Sequence, residues 1–133
     1  MEEIAWRCLE IKRPLVGEGW QRAMLGHSVG HAIETAQRYR GLLHGEAVGV
    51  GMLTVARHGE HLGLTTRGTA GRIADCLSRY RLPLEADVAP ETMQARLHAL
   101  GVSLDIAVPE RVGWTGVHHV DNAFLINAWF GGL

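Results

Sequence analysis

The chain has 133 residues, enough for one domain that buries a real core. Its net charge of −1 gives no reason to expect nucleic acid or an anionic membrane as a partner, and no apolar run reaches membrane-spanning length. Two cysteines, Cys8 and Cys76, make neither a zinc spacing nor a disulfide framework, and the amphipathic start MEEIAWRCLEIKR, with Glu2 and Glu3 at its head, is unlike a secretory signal, so a reduced cytoplasmic setting is expected.

Taken in order, residues 2–13 read as a helix with Ile4, Ala5, Cys8, Leu9 and Ile11 as its apolar stripe, ended by Pro14. Residues 16–19, Val-Gly-Glu-Gly, read as a turn. A second helix is expected over 20–38, with Ala23, Met24, Val29, Ala32, Ile33 and Ala36 on a broad apolar face. Gly26 and Gly30 lie inside it at roughly 1 kcal/mol each against alanine, a cost explained if another backbone or a ligand comes close to this face. A third helix over 45–62 is apolar on most sides and reads as central and buried, with Gly63 as its C-cap.

A fourth helix is expected over 67–80, with Ile73, Ala74, Leu77 and Tyr80 inward, followed by an extended Leu82-Pro83-Leu84. Pro90 suits the first turn of a fifth helix that turns Met93, Leu97 and Leu100 to the core and closes at Gly101. Residues 102–118 fit a loop or a short strand pair, and 119–130 a last helix. The fold class is therefore all-α, or mainly helical, in one domain without internal repeats.

Chemistry concentrates in Gly26-His27-Ser28-Val29-Gly30-His31-Ala32-Ile33-Glu34, followed by His44-Gly45-Glu46-Ala47-Val48. His27 and His31 are four apart and share a helix face. His44 comes seventeen residues after His27, which leaves room for one helix to end and the next to begin. Imidazoles from adjacent helices can hold a divalent metal, zinc or cobalt, and a carboxylate usually completes such a site. The competing reading is a set of helix-end histidines satisfied by backbone carbonyls. Glu34 and Glu46 are candidate groups for orienting the imidazoles. His58, Glu60 and His61, and likewise His118, His119 and Asp121, look like loose metal clusters and read better as solvated side chains. Glycines 45, 49 and 51 lack a preceding strand, so close helix packing explains them better than a dinucleotide-binding turn.

At GHSVGHAIE, then nine residues, then HGEAVGVGM, the chain resembles the 3-dehydroquinate synthase family of sugar-phosphate cyclases. Cys8-Leu9-Glu10-Ile11-Lys12 looks like that family's lysine-bearing helix, and Arg81-Leu82-Pro83 like a turn of the same family. The resemblance runs over 4–64, continues more weakly to about 100 and is poor beyond. It implies that the chain corresponds to the helical, metal- and substrate-binding C-terminal domain, with the NAD-binding α/β domain absent from these residues. It implies His27 and His44 as metal ligands, His31 as a catalytic and substrate-positioning group near the phosphate, and Lys12 and Arg22 as contacts to the substrate carboxylate.

The implied reaction converts 3-deoxy-D-arabino-heptulosonate 7-phosphate to 3-dehydroquinate. It uses NAD for a transient oxidation, with phosphate elimination, re-reduction, ring opening and aldol closure. Implied partners are the sugar phosphate, a separate chain bearing the NAD domain, and a second copy in a homodimer. The sequence also departs from the pattern. About half a dozen residues are missing between Lys12 and His27, Met24 replaces an asparagine, and Arg22 lies two positions closer to the histidine. The family's third ligand, a glutamate, has no counterpart, and Asp121-Asn122-Ala123 lacks a phosphate-gripping lysine. Two alternatives follow: a 2-deoxy-scyllo-inosose synthase-like cyclase acting on glucose 6-phosphate, and a non-catalytic helical fragment.

Overall fold

The structure, a computed structural model, describes residues 1–15, 17 and 19–131. It is mainly helical, as expected, with α1 (Glu2–Lys12), α2 (His27–Ala36), α3 (His44–Leu62), α4 (Thr69–Arg79), α5 (Pro90–His98) and α6 (Asn122–Phe130), and an antiparallel hairpin, β1 (Ser103–Arg111) and β2 (Trp114–Asp121), between the last two helices. Short 3₁₀ turns occupy Arg13–Leu15 and Trp20–Met24. Of the turn expected at 16–19, Val16 and Glu18 lie outside the described residues, and Gly17 adopts a φ of 106°.

α3 is the central helix. Ala47, Val50 and Val55 meet Val29 and Ile33 of α2, Met93 and Leu97 of α5, Ile106 and Val108 of β1, and Phe124 and Leu125 of α6 in the main core. A second cluster joins Leu53 and Ala56 of α3 to Ala70 and Leu77 of the fourth helix. Gly63 closes α3 with a φ of 75°, as its position predicts. Pro90 starts α5, whose Met93 and Leu97 are fully buried.

The helix expected over 20–38 is instead two pieces. Gly26 takes a φ of 79° and caps α2, so the chain turns sharply before His27. A Cβ there would come within 2.5 Å of the Val48 carbonyl oxygen and 2.6 Å of the Met52 nitrogen. The two helices therefore touch backbone to backbone, which is the close approach the glycines foreshadow. α2 ends at Ala36 because Arg38 and Tyr39 both have positive φ, 52° and 57°.

The remaining elements depart from expectation at Tyr80 and at the start of the last helix. The apolar stripe of α1 is left largely exposed: none of its residues is buried, and Leu9 and Ile11 are 62% and 68% exposed. Tyr80, expected inward, is exposed. Residues 102–118 take the strand-pair alternative, with Ser103 opposite Asp121 and Pro109 opposite Thr115. The last helix starts three residues later than expected, because Asp121 accepts a hydrogen bond from the Phe124 N–H and caps it.

His58 of α3 is buried against Phe124, with ring centres 4.7 Å apart. Burial pushes its pKa below the ordinary 6.5, and the neighbouring His61 acts in the same direction. His58 is thus harder to protonate in the fold than in the unfolded chain. Its contribution to stability is complete above about pH 6.5 and is lost as pH falls from there toward the folded value. Urea denaturation between about pH 7.5 and 5 should show stability declining with acid, and His58→Leu should make that slope shallower. An unchanged slope in the variant would remove His58 from this role.

Candidate metal centre

α2 runs back along the first half of α3. Gly26 sits against Met52, Gly30 against Val48, and Glu34 against His44. His27 is the first residue of its helix and His44 the first of the next. His27, His31 and Glu34 lie on one face of α2, since steps of four and three return a helix to the same side.

The imidazoles converge. Ring centres are 5.3 Å apart for His27 and His44, 5.8 Å for His27 and His31, and 5.7 Å for His31 and His44. Two imidazoles on one tetrahedral zinc, with Zn–N of about 2.0–2.1 Å, bring their ring centres to about 5.2 Å. The His27–His44 pair stands close to that spacing. His27 Nδ1–H donates to the Leu25 carbonyl at 3.3 Å. A carbonyl can only accept, so the proton sits on Nδ1 and Nε2 carries the free lone pair. Burial holds the His27 pKa below its ordinary value against the Leu25 bond, and the nearby rings of His44 and His31 push the same way. A neutral imidazole is the form that binds metal.

His44 Nδ1 lies 3.1 Å from Glu34 Oε2. Glu34 is only 8% exposed. The donor atoms of His31, Glu34 and His44 all lie within 4.8 Å of one another. Glu46 does something else: its Oε2 accepts from the Leu43 N–H at 2.8 Å and fixes the head of α3. Of the two glutamates named from the sequence, only Glu34 reaches a ring. His31 is exposed and stands at the rim of the group.

A cavity of about 300 Å³ opens beside His27 and His31, lined also by Trp20, Met24, Ser28 and Asp105. Trp20 and Asp105 escape sequence reasoning. Asp105 arrives on β1, where it pairs with His119 Nδ1 at 2.7 Å, and no local pattern marks it. Among the described residues neither Lys12 nor Arg22 bonds to a histidine. Lys12 ends the exposed α1. The Arg22 guanidinium stacks 3.8 Å over Trp114, and its Nε donates to the Thr115 carbonyl at 2.9 Å. Arg22 lines a separate cavity of about 420 Å³ with Ile11, Met52 and Trp114.

The looser clusters resolve into structural roles. Glu60 accepts from the Ala70 N–H at the head of α4, His118 pairs with Glu110 at 2.9 Å, and Asp121 caps α6. Asn122 Nδ2 donates to the Leu97 carbonyl.

A small helical domain with two helix-head histidines converging on one point can take up a divalent ion. Comparison with known proteins places it more closely. Residues 1–105 match the family described as 3-dehydroquinate synthase C-terminal, and the chain belongs to that family. It is 41% identical over 103 residues to the 3-dehydroquinate synthase of Pelobacter propionicus, covering 73% of this chain and 28% of that protein. It is 34% identical over 123 residues to the enzyme of Enterococcus faecalis, covering 84% and 34%. The chain thus spans about a third or less of the length of these curated relatives.

Among solved structures it is similar to 2-epi-5-epi-valiolone synthase from Streptomyces hygroscopicus, with NAD+ and Zn2+ bound. The TM-score is 0.69 and the identity 26%, over 94% of this chain and 37% of that one. It is also similar in fold to a 2-deoxy-scyllo-inosose synthase, with a TM-score of 0.71 at 23% identity, covering 90% and 34%.

Proposed function

We propose that this chain is the metal- and substrate-binding part of a phosphate-eliminating sugar-phosphate cyclase of the 3-dehydroquinate synthase type. The observation that carries the reading is the His27–His44 pair, with ring centres 5.3 Å apart at the heads of two helices locked backbone to backbone. Curated relatives named 3-dehydroquinate synthase support 3-dehydroquinate as the product, and the family resemblance implies 3-deoxy-D-arabino-heptulosonate 7-phosphate as the substrate.

In this reading His27 and His44 hold a zinc or cobalt ion, which when bound supplies Lewis-acid polarisation of a substrate hydroxyl or carbonyl. The donor set fits: the Leu25 carbonyl keeps the His27 proton on Nδ1 and the other ring nitrogen free. His31, exposed at the rim, orients the substrate's phosphate end toward the head of α2, where helix N–H groups favour an anion. NAD, which accepts and returns hydride, belongs to an α/β domain outside these 133 residues. Arg22 is engaged by Trp114, so the reading rests on the histidines and not on carboxylate contacts by Lys12 or Arg22. Exposed, unpaired Cys8 and Cys76 suit a reducing cytoplasm.

Cobalt titration of the wild type and of the double variant His27→Ala/His44→Ala tests the centre. The wild type should bind one ion, at least about tenfold more tightly than the double variant. Equal affinities would end the metal reading. Joining this chain to the NAD-binding part of the Pelobacter relative tests the reaction: phosphate should be released from the heptulosonate phosphate, and the double variant should release none. A 2-deoxy-scyllo-inosose synthase-type activity has the shared fold in its favour, and the same chimera supplied with glucose 6-phosphate tests it.

A further inference from the structure

Glu34 has no part in the proposed reaction so far, yet it is a nearly buried carboxylate at the centre of the site. An ionised carboxylate taken out of water needs a partner. Among the described residues its side chain has one, Nδ1 of His44, at 3.1 Å. The other nearby glutamate, Glu46, is occupied at the Leu43 N–H. We propose that Glu34 is a positioning residue for His44: it holds the ring proton on Nδ1 and so leaves Nε2 as the nitrogen with a free lone pair.

The two histidines are then oriented by different means. His27 is set by a backbone carbonyl, which no side-chain substitution removes. His44 is set by a single carboxylate from the facing helix. Glu46 fixes the backbone at the start of α3, and Glu34 fixes the ring that this backbone presents. A partner that fixes tautomer and ring direction is worth about ten- to a hundredfold in metal affinity at such sites. The difference between the rings supplies an internal control: loss of Glu34 should release His44 and leave His27 unaffected.

The group of donors within 4.8 Å permits a second arrangement. There Glu34 itself would be a ligand, together with His31 and Nδ1 of His44. The 3.1 Å separation of nitrogen and oxygen is that of a hydrogen bond, and the exposed His31 makes no bond to Glu34. The positioning role is therefore the one these contacts favour.

The test reads the tautomer directly, in metal-free protein at about pH 8, above the ordinary histidine range. Long-range proton–nitrogen correlations should show Nδ1–H on both His27 and His44 in the wild type. In Glu34→Ala, His44 should move toward the Nε2–H form that free imidazole prefers, while His27 stays unchanged. Glu34→Gln keeps an acceptor oxygen and should restore Nδ1–H. Glu34→Met, which fills the space without an acceptor, replaces the alanine variant if that one fails to fold.

In cobalt titrations, Glu34→Ala should weaken binding by about ten- to a hundredfold, and His31→Ala should leave it within about twofold. An Nε2–H tautomer on His44 in the wild type, or one indifferent to Glu34, overturns the proposal. So does an outcome in which His31→Ala loses cobalt as completely as His44→Ala while His27→Ala retains it, since Glu34 would then be a ligand. The affinity readout rests on the metal reading above, and the tautomer readout does not. A wild type that binds no cobalt but shows the expected tautomer shift sinks the metal reading and leaves the role of Glu34 standing.

Discussion

Gly26→Ala should destabilise the protein by about 2–5 kcal/mol, a large part of the roughly 5–15 kcal/mol that holds a domain together. Two costs combine. The backbone at Gly26 has a φ of 79°, where a side chain costs about 1–2 kcal/mol. The added methyl would also lie 2.5 Å from the Val48 carbonyl oxygen and 2.6 Å from the Met52 nitrogen. These are backbone atoms in the middle of α3 and cannot swing aside, so the helices must part, at the roughly 1–3 kcal/mol typical of overpacking. Gly63 is the control. Its φ is 75° and nothing lies within 4 Å of the added atom, so Gly63→Ala should carry only the backbone cost, about 1–2 kcal/mol. Urea denaturation of the two variants measures the difference, and equal losses would mean that α2 and α3 do not pack this closely.

Ile33→Ala should cost about 2–5 kcal/mol, against roughly 0.5–1.5 for Ile33→Val. Ile33 is fully buried where α2 meets the main core, on the side of the helix away from His31 and Glu34. The two faces of one helix therefore separate two properties. Truncating Ile33 lowers the melting temperature, yet the folded fraction should bind cobalt as the wild type does, because no ring or ring partner is touched. A loss below about 1 kcal/mol would show that the core around α2 collapses to fill the gap, contrary to the tight packing described.

Much of the helical framework could be read from local pattern. α3 announced itself by apolar residues on most sides and a closing Gly63, and α5 by Pro90 followed by buried Met93 and Leu97. The break before His27 could not be read, because the apolar period continues through it and the reason for a left-handed Gly26 is the backbone of α3. The hairpin was obscured for a related reason: β1 buries Ile106, Ala107 and Val108 in succession, so the alternation that marks a half-exposed strand is missing. The apolar stripe on α1 was visible, but a stripe does not say whether anything covers it.

In the candidate site, the histidine spacing was legible from a four-residue step and a family resemblance. That Glu34 and not Glu46 meets a ring depends on how two helices face each other, which local sequence does not encode. Arg22 meets Trp114 and Thr115 across more than ninety positions, where no periodicity reaches.

The antiparallel crossing of α2 and α3 separates the centre from its own connecting segment. Main-chain contacts at Gly26 and Gly30 determine how far His27 stands from His44, while residues 37–43 carry the polypeptide round the bend and are tied down at Leu42 by Gln37 and at Leu43 by Glu46. The separation of the imidazoles therefore follows from the helix contact and not from the length of the bend.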